Sequence, residues 1–181
     1  MPDIVDVIKS QHRQVEILIA RAQDEKEDTL AVLEQIKELL VPHSRAEEAF
    51  VYPRIAELQP KDEEEVQDGA AEHHHVESLL QELLAEDPEG PGYDGKLAAM
   101  AGELQHHVEE EEEDLLPVLS DKASDEERAD MASRFLQETT DTSPLQTDAS
   151  KAELYEQAQA ADIPGRSQMT KAELAEALDQ A

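Results

Sequence analysis

All seven histidines of this chain fall in four short clusters, His12, His43, His73 to His75, and His106 with His107, which recur about every thirty residues. That is the layout of a four-helix bundle in which each helix gives one imidazole to a common centre. Two clusters open a longer pattern, His-x3-Glu-Glu-x4-Pro, present as His43, Glu47, Glu48 and Pro53 and again as His107, Glu111, Glu112 and Pro117. A histidine and a glutamate four residues apart share one face of a helix, where both can reach a single metal ion.

The apolar spacing supports four amphipathic helices. The first, 4–24, sets Ile8, Val15 and Ile19 on the face of His12. The second, 29–58, presents Ile36, Leu40 and Phe50 around His43 and Glu47, with Pro42 and Pro53 expected to kink or divide it. The third, 62–85, aligns Val76, Leu80 and Leu83 with His73. The fourth, 93–119, aligns Met100, Leu104 and Leu115 with His107 and Glu111. A loop holding Pro88, Gly90, Pro91 and Gly92 separates the last two, and connections this short imply antiparallel neighbours. A fifth helix, 124–138, has Ser124 as its N-cap and an acidic first turn that suits the helix dipole. The fold class expected is therefore all-α, an antiparallel up-down four-helix bundle over residues 1–138. A Thr-, Ser- and Asp-rich linker, 139–149, leads to a small helical module, 150–181.

The chain also repeats itself. Aligning His12 with His73 brings Val15 onto Val76, Leu18 onto Leu79 and Ile19 onto Leu80, while His43 aligns with His107 through the longer motif. A pseudo-twofold bundle places equivalent donors on opposite sides of its axis, which is what a two-metal centre requires.

Composition limits the chemistry further. The chain has no cysteine, which excludes zinc fingers, iron–sulfur clusters and thiol redox sites and leaves imidazole and carboxylate to hold iron, manganese or zinc. A net charge of −30 argues against nucleic-acid phosphates and anionic membranes as partners of the bundle, and suits solubility or a salty cytoplasm. No apolar run approaches the roughly 20 residues of a membrane span. The start, Met1-Pro2-Asp3-Ile4, has no basic or apolar signal region, so a soluble cytoplasmic protein is expected.

With these residues in place, the sequence resembles the hemerythrin-like HHE cation-binding family, whose four helices carry in order His, His-x3-Glu, His and His-x3-Glu. The resemblance covers roughly residues 1–138. It implies His12, His43, Glu47, His73, His107 and Glu111 as metal ligands, with Glu47 and Glu111 bridging two irons beneath an oxo or hydroxo bridge. One coordination position would then stay open for dioxygen, peroxide or nitric oxide. Oxygen-carrying members place a further histidine where this chain has Glu77, which argues against simple reversible oxygen carriage.

Helical faces discriminate within the clusters. His73 lies on the stripe of Val76 and Leu80, and His107 on that of Leu104 and Leu115. His74, His75, His106, Glu48 and Glu112 read as solvated. Glu16 and Glu77, each four after a candidate ligand, are candidates for a supporting carboxylate. A rival pairing, Glu72-x-x-His75 with Glu103-x-x-His106, matches the spacing of ferritin-like bundles but falls on adjacent helices and leaves His43 without a role.

In the C-terminal module, Ser150 and Thr170 each precede Lys-Ala-Glu-Leu, so two short capped helices are expected around Pro164 and Gly165. The module resembles the small helical unit at the N-terminus of the terminator Rho and its SAP-like relatives. Lys151, Arg166 and Lys171 are outnumbered by acidic residues, which favours a protein partner or self-association over nucleic acid. The functions expected are binding or reduction of dioxygen, peroxide or nitric oxide at a di-iron centre, in sensing, detoxification or iron handling. The alternative is a non-catalytic adaptor whose metal holds the bundle and whose tail recruits a partner.

Overall fold

A computed structural model describes residues 2–24 and 28–140. Helix α1 spans Ile4–Ala22, α2 Thr29–Ala46, α3 Tyr52–Leu58, α4 Glu63–Ala85, α5 Tyr93–Glu110, α6 Leu116–Lys122 and α7 Asp125–Thr140. Their starts are written in the sequence. Asp3 accepts the Val5 N–H at 3.0 Å and Asp28 the Ala31 N–H at 3.3 Å. Ser124 accepts the Glu127 N–H at 3.2 Å, as expected of the fifth helix's N-cap. Gly92 precedes α5 with φ +91°, a left-handed turn that favours glycine.

The second and fourth sequence segments each become one α-helix, a π-helical turn and a further α-helix. The π turns are Glu47–Val51 and Glu111–Leu115, and in each the first residue is the motif's first glutamate. A proline cause is at hand. Pro53 and Pro117 have no N–H to give the carbonyl four residues back, and their rings crowd it. One wider turn, closed by Tyr52 N–H to the Glu47 carbonyl and by Leu116 N–H to that of Glu111, lets each helix continue past its proline. The helix is therefore bulged rather than divided at Pro53, and α2 runs on through the buried Pro42.

Helices α1, α2, α4 and α5 form the bundle, with α1 packed on α2, α2 on α4 and α4 on α5. The α1–α5 edge is the loosest of the four. The apolar interior falls into two clusters. One gathers Val15, Ile19, Ile36, Leu40, Val76, Leu80 and Leu104. The other gathers Ile4, Ile8, Ala46, Val51, Ile55, Leu115 and Phe135. Each of three helices steps from one cluster to the other across a histidine: Ile8 and Val15 flank His12, Leu40 and Ala46 flank His43, and Leu104 and Leu115 flank His107. The fifth long helix, α7, packs on α1 and α2 and completes the second cluster with Phe135. Among the described residues no helix is long and apolar enough to cross a membrane. The expected C-terminal module, 150–181, lies outside the described residues.

Candidate metal centre

Between the two apolar clusters the bundle buries a polar layer made of His12, His43, Glu47, His73, His107 and Glu111, each at most 3% exposed. These are the six residues singled out from the sequence, and the structure brings them all together. Donor atoms of His12, His43, Glu47 and Glu111 lie within 4.8 Å of one another, as do those of Glu47, His73 and His107. Glu47 belongs to both groups.

The imidazoles all turn the same nitrogen inward. His43 Nε2 lies 3.0 Å from Glu47 Oε1, and His73 Nε2 lies 3.3 Å from Glu47 Oε2. His12 Nε2 lies 3.1 Å and His107 Nε2 3.9 Å from Glu111 Oε2. Each carboxylate thus spans one histidine of the first repeat and one of the second. These approaches lack the alignment of hydrogen bonds. Both oxygens of Glu47, both of Glu111 and Nε2 of His12 are buried with no hydrogen-bond partner. Burying two carboxylates in this way is costly unless something of opposite charge sits among them. Inward carboxylate oxygens without hydrogen-bond partners, together with inward imidazole nitrogens of which those of His73 and His107 lie 3.0 Å apart, on a cysteine-free chain, fit a pair of hard or borderline metal ions and are consistent with a di-iron site.

The outward nitrogens are all occupied. Glu112 accepts from Nδ1 of His12 at 2.9 Å, and Gln11 accepts from Nδ1 of His43 at 2.9 Å. Glu48 accepts from Nδ1 of His73 at 3.2 Å, and Glu72 from Nδ1 of His107 at 3.0 Å. The duplication seen in sequence reappears here. The second glutamate of each motif holds a histidine of another helix, and the residue before each lone histidine, Gln11 or Glu72, holds the histidine of a motif. An acceptor on Nδ1 fixes the tautomer that leaves the Nε2 lone pair facing the centre. Glu48 and Glu112 are accordingly half-buried positioning residues, not the solvated groups expected, and nothing in the helical pattern marked them because their partners lie on other helices.

The remaining candidates stand apart. His74, His75 and His106 are exposed; His75 pairs loosely with Glu103 at 3.8 Å, so the ferritin-like pairing does not point inward. Glu16 binds Arg13 on the surface at 2.7 Å, and Glu77 belongs to neither inward group. Sequence reasoning did not single out Tyr52. Its ring stacks on His73 with centroids 5.6 Å apart, and its hydroxyl is buried without a hydrogen-bond partner over Gly69, where a Cβ would come within 3.1 Å. Phe135 of α7 meets the His43 ring edge-on at 5.4 Å.

Two of the buried histidines are drawn toward the protonated form. Burial disfavours imidazolium, yet Glu111, Glu47 and Glu112 together outweigh it and raise His12 to about 9. Glu47 and Glu48 likewise raise His73 to about 10. Burial would push Glu47 up, but His43 and His73 hold it well below the usual carboxylate range. His107 moves down, through burial and the charge on His73. A groove of about 660 Å³ along the loose α1–α5 edge, lined by Ala98 and Gly102 among others, reaches His12 and Glu112.

A protein of Nostoc sp. called DNA nickase is 29% identical over 137 residues, which is 74% of this chain and 38% of that protein. The chain thus spans well under half the length of this relative. No solved structure matches the chain. The description that fits residues 3–119, which carry all six inward donors and both copies of the motif, is the hemerythrin HHE cation binding domain, and the chain belongs to that family.

Proposed function

We propose that the chain is a non-haem di-iron protein in which Glu47 and Glu111 bridge two irons, His12 and His43 completing one position and His73 and His107 the other. The observation that carries this reading is the double reach of each buried carboxylate, whose unpartnered oxygens face a histidine from either repeat. A pair of irons, when bound, supplies redox chemistry toward dioxygen, peroxide or nitric oxide. The chain's own part is positional and electrostatic. Gln11, Glu48, Glu72 and Glu112 aim four imidazoles, the two apolar clusters keep bulk water from the layer, and the α1–α5 groove gives a small molecule a path to its edge. Manganese or zinc would accept the same donors, and family membership is what favours iron. Residues 1–138 form the metal-binding unit on this reading, with 139–149 as linker and 150–181 as a separate docking module.

The second reading, a non-catalytic adaptor with a structural metal, draws on the similarity to a protein named for acting on DNA. Direct phosphate binding by the bundle is disfavoured by the net charge of −30, so recruitment in that case would fall to the tail. Anaerobic iron loading followed by air separates the two. The redox reading expects a new near-ultraviolet band that is lost in His107→Ala and Glu111→Ala, and consumption of added peroxide by the same sample. An iron-loaded protein whose spectrum is indifferent to air and peroxide is the adaptor.

A further inference from the structure

The four histidine-aiming contacts are not equivalent. Around His73 and His107 both acceptors are carboxylates, Glu48 at 3.2 Å and Glu72 at 3.0 Å. Around His12 and His43 one is a carboxylate, Glu112, and the other is the neutral amide of Gln11. The Gln11 amide is fixed in this role, because its NH2 donates to Thr139 Oγ1 of α7 at 3.3 Å and its oxygen is thereby left for His43. Glu112 is in addition bonded by Arg13 and lies 3.7 Å from Lys9 Nζ, so much of its charge is already neutralised. Among the described residues neither Glu48 nor Glu72 has a lysine or arginine within 4.0 Å; Glu72 meets only His106, at 3.9 Å, besides His107. A carboxylate that accepts an imidazole N–H makes the opposite nitrogen a stronger donor than an amide does, and uncompensated negative charge favours the more positive of two metal states.

We propose, building on the di-iron reading above, that the two metal positions are unequal by construction: the His73–His107 position holds the more oxidised iron, and the His12–His43 position takes the first electron. Gln11 and Glu72, which occupy corresponding places before His12 and His73, are the positioning residues that set this difference. Charge on the acceptor, transmitted through one hydrogen bond, is the whole of their effect, since neither reaches an inward nitrogen.

The test is an electrochemical titration of the full chain loaded with iron, following the ferric and ferrous fractions by Mössbauer spectroscopy after the iron per chain has been counted. Two separated one-electron steps are expected. In Gln11→Glu the higher potential should fall while the lower holds its place, because a charge is added beside His43. Glu72→Gln should raise the lower potential and leave the higher in place, and either change alone should narrow the gap. A single two-electron step in the unsubstituted protein, or two variants that shift the same potential or neither, overturns the proposal. Gln11 is buried and its replacement can compromise folding, whereas Glu72 reaches the surface, so E72Q decides the matter by itself. Fewer than two irons per chain in the unsubstituted protein defeats the di-iron reading; two irons with unselective shifts defeat only the inequality.

Discussion

Glu112 accepts the Nδ1–H of His12 at 2.9 Å, so the second glutamate of a motif on one helix aims the histidine of another. Glu48 does the same for His73. Replacing such an outer partner commonly costs about 10–100-fold in metal affinity. Glu48→Ala and Glu112→Ala should each weaken iron binding by about that factor while circular dichroism stays helical, and Glu113→Ala, at an exposed site, should change neither. Affinities unmoved in both substituted proteins would remove the positioning role.

On the di-iron reading, metal held between two buried carboxylates that have no hydrogen-bond partners contributes to the fold's stability. At a free metal concentration about 100 times the dissociation constant, binding to the native state alone adds about 2.7 kcal/mol. Chelation should therefore lower the melting temperature by several degrees, with recovery on adding iron. A melting curve indifferent to chelator would speak against a bound metal.

The metal-free protein should lose stability as pH rises from neutrality. His12 and His73 are raised to about 9 and about 10 in the folded chain, against an ordinary value of 6.5. Between those limits the native state holds more protons than the unfolded one, so their contribution is complete below about 6.5 and is lost as pH climbs through about 9–10. His107, pushed down, acts oppositely, and its contribution is lost as pH falls below neutrality. Iron-loaded protein should lack the alkaline loss, because bound imidazoles carry no inward proton. Melting temperatures of the two forms from pH 7 to 10 check this, and a metal-free curve that rises across that window would contradict it.

Tyr52 carries a buried hydroxyl without a hydrogen-bond partner. An unsatisfied buried hydroxyl costs about 1–3 kcal/mol, so Tyr52→Phe should leave the metal-free protein as stable as before or more so. Chemical denaturation measures this directly. A loss of more than about 1 kcal/mol would show that the hydroxyl has a partner in solution.

Much of the metal layer is legible in the sequence because helical periodicity alone puts His12, His43, His73 and His107 on apolar stripes and Glu47 and Glu111 one turn beyond two of them. The same rule chose His73 over His74 and His107 over His106, and burial agrees. What periodicity does not carry is contact between helices. Glu48 and Glu112 look like surface acids along their own helix and become partners of His73 and His12 only once α4 and α1 are packed against the motif helices. The π turns at Glu47 and Glu111 have a sequence cause in Pro53 and Pro117, but a proline is equally compatible with a kink or a break. Only the surrounding packing selects the bulge. The place of α7 beside the centre, through Phe135 on His43 and Thr139 on Gln11, depends on tertiary contacts that its own amphipathic pattern does not reveal.

The iron content of the anaerobically loaded, desalted chain tests the central claim most directly. Two irons per chain are expected, falling to one or none in Glu47→Ala and Glu111→Ala because each carboxylate serves both positions. One iron or fewer in the unsubstituted protein, or two irons retained after both glutamates are removed, would contradict it.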